Sequence, residues 1–328
     1  MFAFTNFNSC FMKNIYLYTL LFMLAGITFI SCSDSDDFNP FEDQILGTLC
    51  PSSVTFKKAN DKLNIVEQWS NITRNRHNQI TGYTYTRISD INGVKEDEKR
   101  TYTIDYVNNQ EGPQGIWTKY KVDFHKIDNN GTEEKYTENI YEEIALNRKG
   151  YIETISTTTE HFDSIKMSSS PIAKSIRTFT YNGDFCTGSV HSYENVSITY
   201  KHSWSSYRLN KTTILKEDKS NNITNFSKYE YTYSDELYKY SGAEILPFIQ
   251  SGIPQVYASM GYFGKFTPYA LTGETQSGYT KYPGVQSNDT PMNNSYNFEQ
   301  YTDGTGDLNF VISGISNIYD TYSVTFSK

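Results

Sequence analysis

The five histidines, His77, His125, His161, His191 and His202, are the first residues to test for chemistry, since imidazole is the commonest metal ligand and proton shuttle. None stands in H-x-x-x-H or H-E-x-x-H spacing, which would set two ring nitrogens on one helical face for zinc. No G-x-S-x-G elbow offers a hydrolase serine. Gly261-Tyr262-Phe263-Gly264-Lys265 is no phosphate loop, because Phe266 stands where a hydroxyl residue should follow the lysine. Cys50 and Cys186 are too far apart in sequence to form a C-x-x-C redox or zinc pair. Glu133-Glu134 and Glu142-Glu143 are the carboxylate pairs to weigh for glycoside hydrolysis, which needs two facing carboxyls. Adjacent residues of a strand point to opposite faces, so each pair reads as part of a solvated surface. Asp303-Gly304-Thr305-Gly306-Asp307 has oxygen ligands at short spacing but lacks the ligand count and closing Glu of a calcium loop, and reads as a hairpin turn. No catalytic, cofactor or metal site is expected. Trp69, Trp117 and Trp204 offer flat faces for a sugar, or serve equally as core and sheet-surface residues.

The elements that would position these groups follow from composition. The chain has 328 residues, a net charge of -8, 16% aromatic residues, 28 Tyr and 20 Phe, with a mean hydropathy of -0.58. An aromatic, β-branched core within so polar a chain favours half-buried strands. The acidic balance, with a pI near 5.2, argues against nucleic acid, whose binding rests on Lys and Arg neutralising phosphates.

Lys13 precedes an uncharged apolar run from Ile15 to Ile30 that ends at Ser31-Cys32, the layout of a secretory signal. The run falls short of the roughly 20 apolar residues of a membrane helix. Met12 makes a more ordinary start than Met1. The junction Phe29-Ile30-Ser31-Cys32 resembles the lipobox of bacterial lipoproteins, with Phe29 where Leu is usual, and Ser33-Asp34-Ser35-Asp36-Asp37 resembles the export tag of Bacteroidetes-type surface lipoproteins. The resemblance implies a diacylated Cys32, anchorage in the outer membrane and display at the cell surface, with residues 1–31 as signal, 32–53 as tether and 54–328 as one β domain. In an exported chain Cys50 and Cys186 are then left either to pair or to stay separate, as small buried hydrophobes. Asp163-Ser164-Ile165 resembles the O-glycosylation acceptor of exported proteins from the same group.

From Val54 to about Tyr233, runs with β-branched or aromatic residues at alternate positions are separated by turn signals at Asn92-Gly93, Asn130-Gly131, Lys149-Gly150, Asn182-Gly183 and Asn221-Asn222. Asn-Gly suits type I′ hairpins, whose two central residues both need positive φ. Residues 133–146 place Tyr136, Ile140 and Ile144 at a helical spacing of four, but the Asn147-Arg148-Lys149-Gly150 turn and the strand after it favour a hairpin. Glu244 to Met260 is denser in apolar residues at three- and four-residue spacing and predicts one or two short helices. Thr321 to Phe326 predicts a closing strand. The fold expected is mainly β and antiparallel. Long Tyr-rich hairpins, an apolar insert, the Gly-Tyr-Phe-Gly-Lys turn and a closing strand together resemble a Bacteroidetes-type lipoprotein family of unknown function with a porin-like β fold. That resemblance implies a large curved sheet or open barrel-like meander and brings no active site. The function expected is binding of a glycan, lipid or protein partner without catalysis. The alternative is an enzyme, such as a glycan hydrolase, whose residues converge only in space.

Overall fold

The computed structural model describes residues 50–57, 63–77, 79–109, 112–237, 257–258, 261–283, 285–286, 292–295, 297–302, 308–313 and 321–327. Strands β1 (Cys50–Lys57), β2 (Leu63–Arg74), β3 (Ile80–Ile91), β4 (Val94–Asn109), β5 (Gly112–Ile127), β6 (Glu133–Leu146) and β7 (Ile152–Asp163) are successive antiparallel neighbours. The two-residue β8 (Ser168–Ser169) folds back on β7. The meander then continues from β7 through β9 (Ala173–Asn182), β10 (Phe185–Tyr193), β11 (Val196–Ser205), β12 (Arg208–Asp218), β13 (Ile223–Leu237) and β14 (Tyr269–Tyr282). Strands β15 (Val285–Gln286) and β16 (Met292–Ser295) pair with β14. Strands β17 (Asn297–Thr302), β18 (Leu308–Ser313) and β19 (Thr321–Ser327) form a ladder that ends on β1. The first strand therefore lies between β2 and the last. Among the described residues no ladder joins β14 or β16 to β17, so the sheet is an open, barrel-like meander.

Alternation decides which face each strand buries. On β4, Tyr102, Ile104 and Tyr106 are buried or half-buried while Thr101, Thr103 and Asp105 are exposed, the period of two that a pleated strand imposes. Residues 133–146 form β6 as expected. Tyr136, Ile140 and Ile144 share its inner face, because a spacing of four is also a multiple of two. Of the helical expectation at 244–260, Tyr257 and Ala258 are helical and the remaining positions lie outside the described residues. So do residues 1–49, which hold Cys32 and its flanks, and residues 303–307.

Turns form at or beside all the expected sites, but the type I′ geometry is found at only one of them. Only at Asn92-Gly93 do both central residues have positive φ, 54° and 85°. At Asn130-Gly131 and Lys149-Gly150 only the glycine does, at 80° in both. These are five-residue loops opened by an acceptor side chain. Asp128 Oδ1 accepts from the amides of Asn130 (2.8 Å) and Thr132 (2.7 Å), and Asn147 Oδ1 from those of Lys149 (2.9 Å) and Tyr151 (3.1 Å). With two amides satisfied by one side chain, a single left-handed residue closes the loop. Asn182 ends β9, and the turn falls one residue later, on Gly183 and Asp184.

One device recurs along one end of the inner face. Register shifts in the β2–β3, β6–β7, β9–β10 and β11–β12 ladders fall at or beside Ile80, Ile152, Cys186 and Leu209. A bulge leaves backbone groups out of the ladder. Here the carbonyls of those four residues accept from Tyr106 Oη (2.7 Å), Tyr181 Oη (2.7 Å), Trp204 Nε1 (2.7 Å) and Tyr233 Oη (2.9 Å), each donor coming from the next strand in the ladder. All four acceptor residues are almost wholly buried, so each bond satisfies a carbonyl that water cannot reach.

The same end holds the apolar core. Ile104, Ile116, Ile144, Leu271, Tyr257, Phe263 and Phe266 join the bulge residues in one cluster. Tyr257, Ala258 and the residues from Gly261 to Phe266 fill this end as a plug, held by Ile152 N donating to Tyr262 O (2.7 Å) and Lys265 N donating to Asp184 O (2.8 Å). Gly261 and Gly264, at φ 79° and 80°, turn it, and a Cβ on Gly264 would collide with the Asp184 carbonyl.

Candidate functional site

Beyond the plug, the inner faces of β2 to β7 change from isoleucine to tyrosine and charge. Cross-strand register sets Tyr83 opposite Tyr102 and Tyr102 opposite Tyr120. Their rings stack at 4.1 and 4.4 Å, 12° and 23° from parallel. Farther along, Phe124 stacks on Tyr136 at 4.6 Å, and Tyr136 meets the His161 ring at 4.8 Å. Trp69 stands edge-on to Tyr85 at 5.2 Å, and the Arg100 guanidinium lies 5.3 Å above the Tyr85 ring. Aromatic pairs of these geometries contribute about 0.5–1.5 kcal/mol each beyond their burial.

Charges are interleaved with the rings. Arg100 pairs with Glu98; Arg87 bridges Glu67 (3.7 Å) and Glu96 (3.0 Å), and Lys126 reaches Glu96 (3.2 Å). His161 Nδ1 lies 3.0 Å from Glu138 Oε1. Burial raises the Glu67 carboxyl, against the pull of Arg87. At Glu96 burial is outweighed by hydrogen bonds from Arg87 and Lys126, which hold that carboxyl below its usual value. Tyr136 is pushed up to about 12, chiefly by burial. With Glu142, the five carboxyl groups named here outnumber the three permanent cations, Arg87, Arg100 and Lys126, so the wall carries more acid than base.

Glu142 is the perturbed group. Burial raises its carboxyl to about 7, with Arg100 and a hydrogen bond from Tyr120 opposing. Since the ordinary value is 4.5, the folded chain holds this proton over the interval where the unfolded chain has lost it. Stability is therefore full below pH 4.5, falls as pH rises from there to about 7, and is flat above. Glu142→Gln, which mimics the protonated form, should raise the unfolding free energy at pH 8 by on the order of 2 kcal/mol and change it little at pH 4.5. Denaturant titrations at the two pH values check this.

The outer face of the same strands is different. On β4, Lys95, Asp97, Lys99 and Asp105 point outward and are exposed, as are Lys119, Lys121 and Asp123 on β5. A lipid-facing strand needs an apolar outward band, and these strands carry charge there. Around this sheet the tryptophans take different places. Trp69 is buried among the inner rings, Trp204 is half-buried as a bulge cap, and Trp117 is 56% exposed on the outer face. Cys186 is a free, buried thiol, pushed up to about 11 by that burial; Cys50 stands in β1, whose side chains lie outside the described residues.

The histidines do not converge. His202 is buried against Thr212 Oγ1 (3.0 Å) and held down to about 4 by burial, and His125 faces outward, 2.9 Å from Glu133. Among the described residues no three His, Cys, Asp or Glu side chains gather as a metal site. Of the acidic pairs, Glu142-Glu143 splits as strand geometry demands, with Glu142 joining the inner wall and Glu143 exposed, whereas Glu133 and Glu134 are both exposed. Sequence reading missed the inner wall itself. Its signal lies in the Asn92-Gly93 turn, since counting outward from it brings Tyr83 opposite Tyr102.

No family model and no curated protein matches the chain. Among solved structures it is similar to a porin-like protein from Bacteroides uniformis, at 14% identity over 84% of this chain and 97% of that one, with a TM-score of 0.39. It is also similar to a porin-like protein from Bacteroides vulgatus, at 10% identity over the same shares and a TM-score of 0.46.

Proposed function

We propose that this chain is a lipoprotein, anchored in the outer membrane through acyl chains on Cys32 and displayed at the cell surface, that binds a glycan, lipid or protein partner without turnover. The observation that carries the binding reading is the half-buried inner wall, where stacked tyrosines and pre-paired Arg and Glu side chains stand above a closed, apolar plug. Rigid aromatic faces supply contact area at low rotamer cost, and side chains already held by ion pairs lose little further freedom on binding. The acidic excess disfavours polyanionic ligands. The plug supports a cup rather than a channel.

Glu142 is the one observation that favours an enzyme, because a carboxylic acid poised near neutrality is what acid catalysis requires. Its surroundings weigh against that role. Thr118 and the buried Tyr257 are hydrogen-bonded to each other on the plug side. The next acid along the same face, Glu138, is four residues away, about 13 Å along the strand, against the roughly 5–9.5 Å that paired glycosidase carboxyls keep.

Anchorage and binding have separate tests. Wild-type chain should partition with outer membranes and give a diacylglyceryl-modified Cys32 by intact mass, and Cys32→Ala should become soluble; a Cys32→Ala chain that stays with the membrane contradicts anchorage. For binding, a panel of polysaccharides, amphiphiles and glycoproteins should contain a member that stabilises the fold by about 2.7 kcal/mol at a hundred times its Kd. Turnover of any panel member, abolished by Glu142→Gln, would make the chain an enzyme.

A further inference from the structure

The outer face of the sheet holds a groove of about 340 Å³ that the inner-wall reading does not use. One wall is the outward row Thr86, Lys99, Asp123 and Thr137, which are cross-strand neighbours on β3, β4, β5 and β6. The other wall is the next outward row, Ile88, Asp97, His125 and Lys135. Ser164 extends that second row, its amide donating to the Lys135 carbonyl at 2.8 Å just past the end of β7. Between the rows lies the backbone of Arg87, Glu98, Phe124 and Tyr136, whose side chains point inward.

We propose that this groove is a second binding site and that its ligand is a single strand of uncharged glycan. The groove crosses the strands at right angles, so a bound chain cannot join the sheet by ladder hydrogen bonds, and recognition falls to the side chains. Wall residues recur at the interstrand spacing, so four strands and the Ser164 extension give a regular track about 19 Å long. The charges balance, Lys99 and Lys135 against Asp97 and Asp123, which offers no net attraction to a polyanion or a polycation. Asp123 is already engaged by Lys121 (2.8 Å) and Thr137 (3.3 Å). Asp97, Lys99 and Lys135 carry no ion pair among the described residues. They are thus available donors and acceptors, beside the Thr86 and Ser164 hydroxyls. Alternating donors and acceptors match sugar hydroxyls, which both give and take hydrogen bonds, while Ile88, 59% exposed, offers an apolar patch to the C–H face of a ring.

The test uses the folded chain in calorimetric titrations with cellohexaose, maltohexaose, chitin hexamer, polygalacturonate and an unstructured peptide of mixed composition. At least one neutral hexamer should bind, with affinity rising with chain length and levelling off near four sugar units, the length of the roughly 19 Å track. Asp97→Ala combined with Lys99→Ala should weaken it at least tenfold while leaving the melting temperature unchanged, since both side chains are exposed. Tyr102→Ala, on the opposite face of the same strand, should leave this affinity within twofold, which separates failure here from failure of the inner-wall reading. Binding only by polygalacturonate or the peptide, no binding by any neutral hexamer, or binding indifferent to the double substitution would overturn the proposal.

Discussion

Replacing Tyr106, Tyr181 and Tyr233 together by phenylalanine should remove about 3–9 kcal/mol of unfolding free energy, although every ring stays in place and only three oxygens are lost. Each hydroxyl is the donor to a carbonyl at a bulge, on Ile80, Ile152 and Leu209. Those residues are at most 1% exposed, so water cannot take over, and leaving such a group unsatisfied costs about 1–3 kcal/mol. The three bonds lie in different ladders and share no partner, so their losses should add. Urea denaturation of the single and triple variants measures this. A triple variant within 1 kcal/mol of wild type, on the scale of roughly 1–3 kcal/mol per bond, would mean that the carbonyls find other donors. The device also accounts for part of the chain's tyrosine content, because a sheet that bulges repeatedly at one end needs a long donor from each adjoining strand.

Phe263→Ala should cost about 3–5 kcal/mol, the range for truncating a wholly buried aromatic side chain. Phe263 has no exposed surface and meets the Phe179 ring at 5.1 Å. It stands in the middle of the plug, so the cavity left behind borders the apolar cluster rather than solvent. Gly264→Ala is the companion variant. At φ 80° and with the Asp184 carbonyl in the way, any Cβ must displace the backbone contact between the plug and β10. If Phe263→Ala unfolds in denaturant like wild type, the plug is not packed against the sheet as described.

Much of the strand layout was legible because the chain alternates so strictly. In β13 the period of two fixed both the type of element and the face that is buried, and Tyr229, Tyr231 and Tyr233 lie together on the inner face as the pattern requires; in β6 the turn after it decided the element, and the spacing of four then fell on one face. The placement of Trp117 was also legible in principle. It shares parity with Lys119, Lys121 and Asp123, against Ile116, Val122 and Phe124, so it had to face outward, apart from Trp69 and Trp204. Turn type was harder, because an Asp or Asn three residues before the glycine changes the loop from two residues to five, and that signal sits outside the Asn-Gly pair. The bulges were not legible. Each shifts the register by a residue for reasons that lie in a neighbouring strand, and the capping tyrosine is remote in sequence from the carbonyl it serves. The inner wall was half legible: the tyrosines are plain, but their stacking depends on the register between hairpins.

The claim that the inner wall is where a partner binds is tested most directly by fluorine NMR on chain labelled with 3-fluorotyrosine, its resonances assigned by single Tyr→Phe variants. Addition of the ligand that stabilises the fold should shift the signals of Tyr85, Tyr102 and Tyr120 in a saturable way, with the same Kd as the thermal stabilisation. Shifts confined to the exposed Tyr141, Tyr207 or Tyr282, with the wall tyrosines unmoved at saturation, would contradict it.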